Sequence, residues 1–311
     1  MRTQQTQSSG DLVSQDTKHI PVLLQEVISV LKIGKDDIVF DGTLGGAGHT
    51  FAISKLLSDK GVLIGTDLNS KALKIAKKRL DEVAPKLILE HNNFQNIKSI
   101  LKKHSIKNID KALLDLGWSS DHLDSKKGFS FRNNEPLDMR LGDMESELTA
   151  KDIVNTWKEE TLADIFFYWG NERYARKIAQ EIIKARQTSE IQTTSDLVQI
   201  IKKSVPAYYK KKRIHFATKV FQALRIAVNS ELEVAKNGIR EIVDVLNPTG
   251  RLAVISFHSG EDRLVKKLFK EFEKNKIGKS VFKKPITASE EELKNNPRAR
   301  SAKLRVFEKY E

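Results

Sequence analysis

Residues 37–49 read Asp37-Ile38-Val39-Phe40-Asp41-Gly42-Thr43-Leu44-Gly45-Gly46-Ala47-Gly48-His49. The apolar run to Asp41 has the length of a buried strand, and it enters a glycine-rich turn. A helix is expected from Gly48 to about Leu57. Glycines in such a turn let the backbone approach a ligand closely, beside the N-terminus of that helix. A strand, turn and helix in this order imply a nucleotide-like ligand at the switch point of a doubly wound sheet.

Which ligand depends on how the glycines are read. The dinucleotide fingerprint G-x-G-x-x-G would start at Gly46 and Gly48 and needs its third glycine where Phe51 stands. Read from the acid as D-G-T-x-G-x-x-G, the stretch fits a turn for S-adenosylmethionine, which has an adenosine and a methionyl tail but no pyrophosphate.

Downstream, short apolar runs alternate with amphipathic stretches, the pattern of βαβ units and a parallel sheet. Residues 61–67 form a second strand, and Asn69 or Ser70 caps a helix to about Glu82. Leu87–Glu90 and Asp110–Leu116 are a third and a fourth strand. Residues 250–257 are another, after a turn over 247–250. Lys303–Phe307 is expected as a final edge strand. From about Ser125 to Arg213 only helical periodicity is found. One helix is capped by Thr149, another is opened by Asn171 over Arg173–Gln187, and a third starts at Thr194 or Ser195 and stops before Pro206. The predicted organisation is a tail over 1–17, an α/β domain over 18–124 and 214–311, and a helical insert over 125–213.

The chain has 311 residues and a formal charge of +13, from 54 Lys+Arg against 41 Asp+Glu. Such a surplus favours polyanions through counterion release, although a lysine-rich solvated surface also accounts for it. Cysteine is absent, which excludes disulfides, thiolate catalysis and cysteine-ligated metals. No apolar run approaches the roughly 20 residues that span a bilayer, and the polar N-terminus lacks a secretory h-region. The expected setting is the cytoplasm.

Candidate site residues sit where strands end. Asp67, closing the second strand, suits both hydroxyls of an adenosine ribose. Phe94 follows the third strand, where its ring either edges the adenine or packs under the next helix. Asp115-Leu116-Gly117-Trp118 ends the fourth strand and partly matches the D/N-P-P-aromatic tetrapeptide of amino-methyltransferases. The acid and ring are present and the two prolines are not. Asp115 would accept a hydrogen bond from the target amine and Trp118 would stack the base, or Trp118 simply packs. His258 and Ser259 either line the crevice or cap the helix beginning near Glu261. The segment from His258 to Asp262 lacks helical His-x-x-x-His spacing, so no metal is expected.

Further motifs follow in order: His19-Ile20-Pro21-Val22-Leu23-Leu24, Gly128-Phe129-Ser130-Phe131, Pro136-Leu137-Asp138-Met139-Arg140, Gln222-Ala223-Leu224-Arg225-Ile226 with Val228-Asn229-Ser230-Glu231-Leu232, Ile255-Ser256-Phe257-His258-Ser259, Glu261-Asp262-Arg263 and Asn296-Pro297-Arg298-Ala299-Arg300-Ser301. With the turn and Asp67, this set resembles the bacterial 16S rRNA (cytosine-N4)-methyltransferase family, RsmH, formerly MraW, from about Lys18 to Val306. The resemblance implies a class I, Rossmann-like methyltransferase fold with a helical insert for RNA recognition. It also implies S-adenosyl-L-methionine as cofactor and a cytidine of the 16S rRNA decoding region, in the small ribosomal subunit, as substrate. By motif, the cofactor residues would be Ala47, Gly48, His49, Asp67, Phe94, Asp115 and His122. The family often has Gly at Ala47 and Gln at His122. It also often has a proline after His215.

Two other classes share parts of this pattern. A nicotinamide-dependent oxidoreductase needs the missing third glycine. A non-catalytic RNA-binding protein leaves the turn and Asp67 without purpose. For RNA contact, Lys202-Lys203 with Lys210-Lys211-Lys212-Arg213 compete with Arg298 and Arg300.

Overall fold

The computed structural model describes residues 20–117, 126–142 and 148–311. The expected tail, Trp118 and His122 lie outside the described residues.

Seven strands form one sheet in the order β3-β2-β1-β4-β5-β7-β6. They are β1 (Ile38–Asp41), β2 (Val62–Asp67), β3 (Lys86–His91), β4 (Ile109–Asp115), β5 (Leu246–Ser256), β6 (Gly278–Ser280) and β7 (Lys303–Lys309). The first five run parallel, and β7 pairs antiparallel with both β5 and β6. The expected edge position for Lys303–Phe307 is therefore corrected. Three-residue β6 takes the edge, too short to carry a periodicity signal. The turn over 247–250 exists, but inside β5. Ile109 pairs with Leu246 and Lys111 with Arg251, so residues 247–250 bulge out opposite Asp110. Asn247 Nδ2 donates to Asp110 Oδ1 at 2.7 Å and secures the bulge.

Among the described residues there are thirteen α-helices: α1 (Leu24–Leu31), α2 (Gly48–Ser54), α3 (Ser70–Arg79), α4 (Ile97–Lys103), α5 (Ala150–Thr156), α6 (Glu159–Tyr168), α7 (Ala175–Thr188), α8 (Thr194–Ser204), α9 (Ala207–Lys210), α10 (Thr218–Asn229), α11 (Glu231–Val245), α12 (Ser259–Lys274) and α13 (Glu290–Asn295). Side chains alternate across each strand, so the sheet buries both faces. Phe40, Ala112, Leu114 and Val254 pack with α4, α11 and α12, including Ile239, Ile242 and Phe269. Val39, Leu113, Ala253 and Ile255 pack on the other side with Val27 and Leu31 of α1 and Ile53 of α2.

The helical layer has its own core, with Ile153, Phe166, Ile178, Leu197 and Ile201 fully buried. Phe216, Val220, Phe221, Leu224 and Val228 belong to the same cluster. The expected boundary at Arg213 thus falls inside a continuous helical core that runs on through α10. Thr149 and Thr193 each close a capping box, on α5 and α8, which satisfies the first free amides of those helices. Asn171 does not open α7: it is left-handed at φ 52°, and the helix begins at Ala175. Instead Glu172 is fully buried, accepting from Tyr174 N at 2.9 Å and Tyr209 Oη at 2.7 Å.

Candidate active site

Strand order reverses between β1 and β4, the switch point at which open α/β sheets leave a crevice beyond their strand ends. The ends of β1, β2 and β4 place Asp41, Asp67 and Asp115 around it.

Asp41 is buried and shapes the turn. Its Oδ1 accepts from Thr43 N at 3.1 Å and its Oδ2 from Thr50 Oγ1 at 2.5 Å. Burial is the main cause holding its pKa above the usual carboxylate value, against those hydrogen bonds and nearby His49. The turn is also tied sideways. Asp115 N donates to Thr43 Oγ1 at 2.7 Å, and Gly45 N donates to Asp67 Oδ2 at 2.8 Å. Asp67 Oδ1 accepts from Asn69 N at 2.8 Å, and Asn69 caps α3 through Lys71 N. Asp67 therefore braces the turn, and a carboxylate has further lone pairs with which to meet a ribose.

Gly45 and Ala47 both adopt left-handed backbone, at φ 49° and 55°. For alanine that conformation carries a cost of roughly 1–2 kcal/mol, which glycine avoids. The family's frequent glycine at this position has a physical reason. Gly48 is required for a different one: a Cβ there would come 2.3 Å from Pro21 Cγ. The chain before α1 lies across the turn, held by His49 Nε2 donating to Val22 O at 2.9 Å. It is anchored from the far end of the sequence by Leu23 N to Glu292 Oε1 at 2.7 Å and Asn296 Nδ2 to Ile20 O at 3.1 Å.

Asp115 Oδ2 lies 3.9 Å from His49 Nδ1. Asp115 Oδ1 is buried and without a hydrogen-bond partner among the described residues. Burial pushes the Asp115 carboxyl up to about 6, His49 opposes that rise, and Asp41 adds to it. An orphaned buried acceptor costs about 1–3 kcal/mol, so the arrangement suits a bound donor such as an ammonium or amine. Together with the turn, it fits S-adenosylmethionine.

Phe94 opens a 3-10 turn, Phe94–Asn96, that packs against α11. Its ring lies where a Cβ on Gly238 would come 2.3 Å from Cδ2 and Cε2. That face of the half-buried ring is therefore packing. His258 caps α12: Nδ1 accepts from Gly260 N at 3.2 Å and Glu261 N at 3.3 Å. Glu261 Oε2 returns a capping box by accepting from Phe257 N at 2.7 Å and His258 N at 3.2 Å. Of the two readings of His258, capping is what its hydrogen bonds perform.

Sequence reasoning weighed Glu261 only as a possible metal ligand within His258–Asp262 and gave Glu231 no role of its own. Ligand atoms of Glu231, His258 and Glu261 lie within 4.8 Å of one another. Arg225 already holds Glu231 with two hydrogen bonds, at 2.7 and 2.9 Å. His258 Nδ1 faces two amide donors, which places its proton on Nε2; that atom is buried and has no hydrogen-bond partner among the described residues, although Glu261 Oε1 lies 3.1 Å away. A metal would have to compete with the Arg225 bonds to Glu231 and the amide bonds to Glu261, beside a buried guanidinium. Arg225 on the apolar side of α10, with the motifs that carry Glu231 and Glu261, was the signal available in the sequence.

The basic candidates are spread out. Lys202 and Lys203 end α8, Lys210 closes α9, Lys211–Arg213 precede α10, and Arg298 and Arg300 lie in a 3-10 segment, Pro297–Ser301; all but the half-buried Lys210 are exposed.

A family model described as the MraW methylase family matches residues 16–310. A protein of Halothermothrix orenii named Ribosomal RNA small subunit methyltransferase H is 45% identical over 309 residues, covering 94% of this chain and 98% of that one. Proteins of the same name from Brevibacillus brevis and Clostridium botulinum (strain Loch Maree / Type A3) are 43% and 45% identical. Each alignment covers 94% of this chain, with 98% and 99% of the relative.

Proposed function

The chain belongs to the MraW methylase family, and on that premise we propose that it methylates the exocyclic N4 of a cytidine in 16S rRNA. It is an S-adenosylmethionine-dependent methyltransferase with a class I, Rossmann-like fold. The relatives that match it end to end are named as small-subunit rRNA methyltransferases. The observation that carries the choice of atom is Asp115 Oδ1, a buried acceptor at the end of β4 without a hydrogen-bond partner among the described residues.

The cofactor supplies a methyl group already activated on a sulfonium. The protein therefore has mainly to bind, align and exclude water. Asp67 would hold the ribose hydroxyls, Phe94 the adenine edge, and residues 47–49 the tail. Cytosine N4 is a weak nucleophile because its lone pair is delocalised into the ring. Asp115, once ionised, would accept a hydrogen bond from N4 and favour pyramidalisation as the new bond forms. The base must leave its stack to reach the site, at a cost of a few kcal/mol. An aromatic ring, for which Trp118 is the candidate, can return about 1–3 kcal/mol by stacking.

Methylation at C5 proceeds through a thiolate adduct at C6, and this chain has no cysteine. The helical layer is proposed to contact the RNA, and the assembled small subunit is the proposed substrate form. No helix of the described residues is long and apolar enough to cross a membrane, and a cytoplasmic setting is proposed from the rRNA substrate.

Nucleoside mass spectrometry of 16S rRNA, free and in subunits, treated with enzyme and labelled cofactor, tests the assignment. Label in N4-methylcytidine is expected. Label in a 2′-O-methyl nucleoside or another base overturns it.

A further inference from the structure

A cavity of about 530 Å³ opens in the helical layer, lined by Phe131, Arg132, Arg213, Ile214, His215 and Thr218. None of these belongs to the turn or to the strand ends around Asp115. The polar lining is notable for its sign: it contains two guanidinium groups and no acid. Arg225, Arg251 and Arg305 each hold a carboxylate. Neither Arg132 nor Arg213 has a carboxylate partner among the described residues.

His215 adds a third donor. Its ring stacks on Phe131 with centroids 4.5 Å apart and planes 8° from parallel, which fixes its orientation. Nδ1 accepts from Ala217 N at 3.3 Å, so the neutral ring carries its proton on Nε2. Burial, and then the nearby Arg132 cation, hold its pKa below the ordinary value. At neutral pH it is a donor without a charge of its own. Thr218 is the first residue of α10, whose N-cap, Ala217, makes no side-chain capping bond. The exposed run Lys211–Arg213 leads into the cavity's rim.

We propose that this cavity is a phosphodiester subsite for the RNA substrate, gripping a backbone phosphate with residues other than those around Asp115. The proposal rests on the reading that the substrate is rRNA. Planar guanidinium forks match phosphate oxygens bidentately, and a lining with two cations and no carboxylate suits an anion that only accepts. The net charge of +13 supports a polyanion over a single acidic peptide.

The test measures affinity of the full-length protein for transcribed 16S rRNA across a salt series. R132Q/R213Q should weaken binding by about tenfold and make the log–log salt slope shallower by about 1, with S-adenosylmethionine affinity unchanged. R132K/R213K should keep the slope while losing part of the affinity, because charge remains and the fork does not. K283Q/K284Q, on an exposed stretch after β6, should change the slope less. An unchanged slope in R132Q/R213Q, or an equal change in K283Q/K284Q, overturns the subsite while leaving the rRNA reading intact. Failure of the wild type to bind 16S rRNA defeats both. Saturation by inorganic phosphate with no effect on RNA binding would assign a free-anion site and also overturn the proposal.

Discussion

The Asp115 carboxylate lies 3.9 Å from His49 Nδ1, across the gap between the end of β4 and the first turn of α2. Its pKa is raised from 3.8 to about 6, first by burial. The folded protein therefore holds this proton more tightly than the unfolded chain. Its contribution to stability is present below pH 3.8 and is lost as pH rises to about 6. Methyl transfer should show the opposite trend, rising through about pH 6 as the carboxylate ionises. Asp115→Asn should remove both trends and lower kcat by about 100-fold. Denaturant melts and kcat profiles from pH 4.5 to 8, roughly the span around that titration, check the two arms. A retained acidic limb in the variant would assign it to another group.

Asp67→Ala should weaken S-adenosylmethionine binding by about 2–3 kcal/mol, as expected for a charge-assisted bidentate contact. It also removes the acceptor for Gly45 N, so a stability loss of about 1 kcal/mol should accompany it. Calorimetric titration on the folded variant separates the effects. Wild-type cofactor affinity in a merely less stable protein would leave Asp67 as a brace for the turn alone.

Gly238→Ala sets helix propensity against packing. Alanine gains about 1 kcal/mol inside a helix, but its Cβ would meet the Phe94 ring at 2.3 Å. Overpacking of that kind costs about 1–3 kcal/mol, so the variant should be less stable. The ring must also turn, and cofactor affinity should fall with it. Phe94→Leu should reproduce the loss of affinity with less loss of stability. Thermal melts and cofactor titration of both variants test this, and intact affinity in both would confine Phe94 to the core.

Arg225 and Glu231 form a buried pair at the corner between α10 and α11, 10% and 14% exposed in their side chains. Removing either partner alone should cost about 3–5 kcal/mol, because the other charge stays buried. Arg225→Met with Glu231→Leu should recover most of that loss. A double-mutant cycle by urea melts checks it; additive losses would show that the pair is not coupled.

The fold was legible where periodicity and turn chemistry agree. The run ending at Asp41, the turn to Gly48 and the acid closing β2 fixed a parallel α/β layout and its ligand end before any coordinates. Thr149 announced the start of α5 for the same local reason, and the structure adds Asp152 as the other half of its capping box. The motifs running in order along the chain identified the family, and the absence of cysteine removed thiol chemistry. Contacts between distant residues were decided only by tertiary structure. Nothing near Gly48 in sequence says that Pro21 will lie on it, or that Glu292 and Asn296 will hold that segment in place. The roles of Phe94 and His258 were ambiguous because one aromatic or imidazole serves ligand and scaffold equally well in a string of residues. Gly238 against the Phe94 ring is such a distant contact, whereas the two amides on His258 Nδ1 come from the first turn of the helix it caps. Local structure follows from backbone preferences written in adjacent residues. Burial, pKa and hydrogen-bond partnership depend on what the folded chain brings from 70 or more positions away, as Asp115 N on Thr43 Oγ1 shows.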